Sequence, residues 1–229
     1  MGVDLGLSSF AVLSDGTQIE APKPLAKKLR LLKRRSKQLS RKEKGSNTAK
    51  KAALALARLH REVKNLRRDF LHKLTTCLAR TKPVIVVEDL NVRGLSRGWL
   101  SRSVADVGWG TFLRMLEYKA KWYGATLIVA PRSFPSTRLC SRCGHLHGKM
   151  PLFQRVFRCE ACGLEMDRDL NAALNLRAYG LAHLTGPTAS SAGSDAPGDS
   201  SGGGTALLGW STSYGSLKGE ATCRQPLEG

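Results

Sequence analysis

The sequence predicts an α/β protein with a small cysteine-bearing module near its end, and three patterns lead to that reading. Short apolar runs broken by glycine turns fill residues 2–20, leucines spaced three and four apart run from Pro24 to about Ala79, and C-x2-C pairs begin at Cys140 and Cys159. The first pattern has the period of strands, the second that of helices, and the third the spacing of metal ligands.

In chain order, residues 2–6, 10–13 and 17–20 read as three strands, the last following the Asp15-Gly16 turn. From Pro24 the period changes. Leu25, Leu29, Leu32 and Leu39 share one helical face, and Gly45-Ser46-Asn47-Thr48 interrupts with cap-type residues. A longer helix then carries Leu56, Leu59, Val63, Leu66 and Phe70 inward, so residues 24–80 read as a helical hairpin with an apolar interior and a basic exterior. Pro83 ends it, and Val84–Val87 reads as a buried strand ending at Glu88-Asp89. A helix over 111–123 is expected to bury Phe112, Met115, Leu116 and Tyr123, with Gly124 stopping it before a strand over 125–130. A helix over 169–179 closes the ordered part, burying Ala173, Leu174 and Leu176. Beyond about residue 183 the composition turns to Ser, Gly, Ala, Thr and Pro, which bury too little apolar surface to order themselves. A disordered tail over 183–229 is therefore expected, with Leu207-Leu208-Gly209-Trp210 as an apolar island of no assigned role.

Charge narrows the function. Lys and Arg number 37 against 18 acids, a formal net charge of +19, and 35 of those basic residues lie before residue 180. Such a surplus suits a polyanionic partner, because each neutralised phosphate releases counterions. Lys33, Arg34, Arg35, Lys37, Arg41 and Lys42 of the hairpin are the candidate nucleic-acid contacts; a merely solvated charged face is the plainer alternative. The longest aliphatic run, Val84–Val87, is far too short to cross a membrane, and Asp4 falls where a signal peptide's apolar stretch would begin. A cytoplasmic, nucleoid-associated protein is the expectation.

Cys140, Cys143, Cys159 and Cys162 form C-x2-C, fifteen residues, C-x2-C. Each pair can turn two thiolates toward one ion, and Gly144 and Gly163 follow where a knuckle needs a permissive backbone. Zinc accepts four thiolates tetrahedrally, and a closed site leaves no position for chemistry, so a structural zinc is expected. His145 and His147 read as exposed loop residues, and Cys77 and Cys223, without partners at ligand spacing, as ordinary thiols.

Three acids stand at special places: Asp4 in the first strand, Glu88 at the end of a buried one, and Asp169 at the start of the last helix. Acids brought together at strand ends can hold hard cations such as Mg2+. Glu88 also fits as a harmless strand terminus, and Asp167 or Asp169 as an N-cap.

The strings Gly2-Val3-Asp4-Leu5-Gly6, Val86-Val87-Glu88-Asp89-Leu90, Ser136–Gly144, Phe157–Gly163 and Asp167-Arg168-Asp169-Leu170-Asn171-Ala172-Ala173, in that order, resemble the OrfB/TnpB family of insertion-sequence proteins, relatives of the type V CRISPR effector nucleases. The resemblance spans residues 1 to about 180. It implies an RNase H-like (RuvC-type) core, a mixed sheet over 1–135 and 167–182 with the hairpin and a zinc ribbon (136–166) inserted. It further implies an RNA-guided, Mg2+-dependent DNA endonuclease of a transposable element, with Mn2+ as a substitute metal and DNA and a guide RNA as partners. Asp4, Glu88 and Asp169 match the catalytic, magnesium-binding acids, with Asp167 the neighbour open to confusion with Asp169. Family members carry a substantial region before the first acid, where three residues stand here, so the expectation is a chain without its N-terminal targeting region. The alternatives are a catalytically inactive nucleic-acid-binding remnant and a stand-alone resolvase-like nuclease, the latter leaving the cysteines unexplained.

Overall fold

Strand β1 (Gly2–Leu5) organises the molecule because it pairs on both sides and is covered on both faces. The computed structural model describes residues 1–98, 100–151 and 153–185, so the readings made for the rest of the tail and for Cys223 fall outside it. The sheet has the order β3-β2-β1-β4-β5, with β2 (Ala11–Leu13), β3 (Gln18–Ile19), β4 (Val84–Glu88) and β5 (Thr126–Ala130). The β1-β2 and β2-β3 pairs are antiparallel, as short hairpin turns allow, whereas β1-β4 and β4-β5 are parallel. The mixed α/β sheet expected from the sequence is therefore present.

Helices α1 (Pro24–Ser40) and α2 (Asn47–Thr81) lie between β3 and β4 in sequence and pack together through Leu32, Leu59 and Val63. Ser46 caps α2, its hydroxyl accepting from the Ala49 N–H at 3.1 Å. The C-terminal half of α2 then turns Leu71, Leu74 and Leu78 onto the sheet, where α5 (Trp109–Tyr123) adds Phe112, Met115 and Leu116. Leu66, expected inside, is 48% exposed, as it falls where the buried stripe passes from α1 to the sheet. Tyr123 is likewise 48% exposed: it is the last residue of α5, and its ring carries the Arg80 guanidinium instead of core contacts.

The other face of the sheet is covered by α6 (Arg168–Thr185), longer than expected. Val86, Ile128 and Ala130 meet Leu176 there, so β4 is apolar on both faces, which explains its unbroken Val84–Val87 run. The helix lies very close to the strands. A Cβ on Gly2 would overlap the Ala173 carbonyl and one on Gly180 would overlap Val86. Gly180→Ala is expected to lower stability by about 1–3 kcal/mol, the usual cost of overpacking, read as a drop in denaturant midpoint at unchanged slope.

Two short helices were not foreseen, α3 (Val92–Leu95) and α4 (Ser101–Val107). Asp106 of α4 is buried and accepts from the Leu25 and Ala26 N–H groups, both at 2.9 Å, while Arg67 pairs with it at 3.1 Å. It thereby caps α1, whose own preceding residue, Lys23, makes no side-chain cap. Cys77 lies in α2, where the sequence puts a helix. No helix among the described residues is long and apolar enough to cross a membrane.

Candidate metal centres

The cysteine module consists of two knuckles built alike. In the first, the Gly144 N–H returns to the Cys140 carbonyl at 2.9 Å; in the second, Gly163 returns to Cys159, also at 2.9 Å. Both glycines have positive φ, 73° and 70°, which explains their place after each pair. Antiparallel β6 (Val156–Arg158) and β7 (Glu165–Asp167) carry the second knuckle, and Phe157 is fully buried beneath it. The four sulfurs lie within 4.8 Å of one another, with Cys140 Sγ 3.7 Å from Cys162 Sγ and Cys143 Sγ 3.6 Å from Cys159 Sγ. Four thiolates on one zinc, at bonds of about 2.3 Å, would sit about 3.8 Å apart, so the set fits in donor type and size. Against the pull of burial, the backbone N–H groups of Cys143 and Arg142 bring the Cys140 thiol down to about 7, whereas, against the His145 N–H, burial and the neighbouring sulfurs push the Cys143 thiol up to about 12. His147 is not merely a loop residue: its Nε2 lies 3.4 Å from Cys159 Sγ and its ring packs edge-on against Phe157. His145 is exposed, as expected.

The acids come from three elements. In the parallel β1-β4 pair Val3 stands opposite Val87, so Asp4 and Glu88, each the next residue along, stand side by side. Side chains alternate along a strand, and Gly2 and Val86, two residues earlier, meet α6, so both acids point to the α6 face. Asp169 belongs to the first turn of that helix. Asp4 is buried, and burial pushes its carboxyl up to about 8, with the charges of Asp169 and Glu88 adding and Arg168 opposing. Glu88 is raised as well, chiefly by burial, with the Ser136 hydroxyl opposing from 3.4 Å. Asp169 pairs at 3.7 Å with both Arg155 and Arg168. The acids are not gathered as tightly as the sulfurs. Among the described residues only the cysteines have three or more ligand atoms close enough to share one ion as they stand.

Asp167 Oδ1 accepts from the Asp169 and Leu170 N–H groups at 2.9 and 3.0 Å, so Asp167 caps the start of α6, while the charges of both acids act on Asp4, that of Asp169 the more strongly.

Residues missed in the sequence reading lie between the two centres. Asn171 and Asn175, i and i+4 on α6, are more deeply buried than Leu174, which was expected inside. Two amides on the apolar face of a helix were the available signal, since buried polar groups need partners.

A metal-free preparation is expected to lose stability as pH rises. An acid with a raised folded pKa holds its proton more firmly folded than unfolded. The contribution of Asp4 is thus fully present below its ordinary value of 3.8 and lost as pH climbs through about 8. Melting temperatures across pH 5–8 check this: the decline should be shallower in Asp4→Asn, and equal slopes would refute it.

A family model described as OrfB_IS605, "Probable transposase", matches residues 1–98, which hold Asp4 and Glu88. A second, "Cas12f1-like, TNB domain", matches residues 109–176, which hold the four cysteines and Asp169. Over both matched spans the chain is similar to the OrfB/TnpB family. Its relatives include a "Putative RNA-guided DNA endonuclease" of Streptomyces pristinaespiralis, 45% identical over 80% of this chain and 45% of that protein. A second, InsQ of Escherichia coli K12, bears the same description and is 38% identical over 80% of this chain and 50% of that protein. The chain thus spans about half the length of the curated OrfB/TnpB relatives it matches. Among solved structures, a Cas12f1-sgRNA-target DNA complex aligns with a TM-score of 0.53 at 18% identity, covering 76% of this chain and 48% of the other. A CRISPR-Cas12f ternary complex aligns at 0.54 and 22%, covering 76% and 37%. At those identities the likeness is one of fold.

Proposed function

We propose that this chain carries the nuclease portion of a metal-dependent DNA endonuclease of a transposable element, guided by RNA as the names of its relatives state. In this reading the sheet and α6 (residues 1–135 and 167–182) form an RNase H-like core of RuvC type, and residues 136–166 form a zinc ribbon. The observation that carries the proposal is the convergence of Asp4, Glu88 and Asp169, from two adjacent parallel strands and one helix end, on the single face where α6 meets the sheet. Like charges so placed are costly unless a cation joins them.

Mg2+, or Mn2+ in its place, would be held by these three carboxylates and, when bound, would activate a water and stabilise the leaving oxygen of a phosphodiester. The chain's own part is placement. The strand backbone fixes Asp4 and Glu88, the Asp167 cap fixes the start of α6, and Arg155 and Arg168 hold Asp169 and offer positive charge beside it. Cys140, Cys143, Cys159 and Cys162 would hold a structural zinc.

The test is cleavage of DNA with Mg2+ and guide RNA, by the chain alone and by the chain joined to the part of the Streptomyces relative outside the matched span. Cleavage in neither, with zinc content and folding verified, would favour a protein that only binds nucleic acid.

Lys33, Arg34, Arg35, Lys37, Arg41 and Lys42 would contact phosphate. All six are exposed, and none makes an ion pair among the described residues, so their charge is available. Affinity for DNA or RNA is expected to fall steeply with salt, and neutralising three of the six should lower the log–log slope by about 2–3. A slope that ignores the substitutions would return these residues to a solvated face.

A further inference from the structure

A line of buried polar contacts joins the cysteine knuckle to Glu88. Asn171 Oδ1 accepts from the Ser141 N–H inside the first knuckle at 3.0 Å, and its Nδ2 donates to the Leu139 carbonyl at 2.7 Å. One turn on, Asn175 Nδ2 donates to the carbonyls of Leu139, at 2.6 Å, and Ser136, at 2.7 Å. The two asparagines are 0% and 2% exposed and Ser136 is 3% exposed, so these contacts are shielded from water and costly to leave unmade. The hydroxyl of Ser136 then reaches Glu88 Oε2 at 3.4 Å. Residues 136–141 therefore have one end at the carboxylate and the other in the metal knuckle, with α6 holding the backbone between them.

We propose that Ser136 is a positioning residue for Glu88, and that the segment 136–141, clamped by Asn171 and Asn175, makes the placement of Glu88 depend on an occupied cysteine site. The inference rests on the reading of Glu88 as a ligand of the catalytic metal. Cysteines without their ion do not hold the knuckle's turn, the Ser141 and Leu139 backbone groups leave their asparagine partners, and Ser136 no longer restrains the carboxylate. No chemistry is assigned to the serine itself.

The test uses the full chain without nucleic acid and reads Mn2+ binding from the electron paramagnetic resonance of the free ion, with zinc content measured in every sample. Ser136→Ala should weaken Mn2+ binding about fivefold at unchanged zinc content, the effect of one ordinary hydrogen bond, and Ser136→Thr, which keeps the hydroxyl, should restore most of it. Cys143→Ser, at an exposed ligand, should remove zinc and weaken Mn2+ binding, and should do so by a smaller factor in the Ser136→Ala background. Equal affinity in wild type and Ser136→Ala, or equal factors for Cys143→Ser in both backgrounds, would overturn the linkage. Glu88→Gln separates the two claims. If it leaves Mn2+ binding unchanged, the carboxylate reading falls and takes the linkage with it; if it weakens binding while Ser136→Ala does not, only the linkage falls.

Discussion

Replacing Asp4, Glu88 or Asp169 by its amide, one at a time, is expected to lower Mg2+-dependent DNA cleavage by on the order of a thousandfold or more, with zinc content and bulk nucleic-acid binding retained. A displaced catalytic ion forfeits several kcal/mol of transition-state stabilisation, and each 1.4 kcal/mol is about tenfold in rate. Asp4 is the most sensitive position, because it is buried between the charges of Asp169 and Glu88. Asp167→Asn is the internal control. The amide keeps an acceptor oxygen for the Asp169 and Leu170 N–H groups, so the cap of α6 survives and cleavage should change by no more than about threefold. Cleavage lost in Asp167→Asn and kept in Asp169→Asn would exchange the roles of the two acids. Rates are to be compared at saturating Mg2+ and again at limiting Mg2+, since a ligand lost from the ion shows in both and a shifted helix chiefly in the second.

Cys159→Ser is expected to abolish zinc binding and to open the module over residues 136–166 before the sheet yields. Filling a four-thiolate site contributes on the order of 10 kcal/mol in small zinc domains, comparable to the total stability of many domains, so its loss unfolds the module that the site holds. Hydrogen exchange gives the spatial reading. The Gly144 and Gly163 amides, which close the two knuckles, should lose protection first, followed by Ser141 and then the amides of β6 and β7. Strands β1 and β4, packed on both faces, should stay protected. Equal zinc content in wild type and variant, or uniform loss of protection through the sheet, would count against a separate zinc-held module.

The amino-acid sequence by itself determined whatever is encoded within a turn or a strand. The glycines after each cysteine pair, the Ser46 cap and the doubly buried Val84–Val87 run are local patterns, and the structure has them where the sequence puts them. The two C-x2-C pairs belong here as well, since their spacing already specifies two facing knuckles. Tertiary structure decided everything that depends on residues far apart in sequence. Asp106 caps a helix eighty residues before it, a service no propensity at Lys23 announces. Leu66 and Tyr123 satisfy the helical period yet face outward, because the partner surface changes along one helix and ends with the other. Asp167 and Asp169 are near neighbours in sequence, and only the fold makes Asp167 the cap of α6, accepting from the backbone N–H groups that follow it. The asparagines of α6 read as interruptions of an apolar face until the cysteine segment is folded against them, supplying carbonyls and an N–H that water can no longer reach. The physical reason is common to all four. Periodicity reports which side of an element is apolar, whereas the partner of a buried polar group is set by which elements pack together.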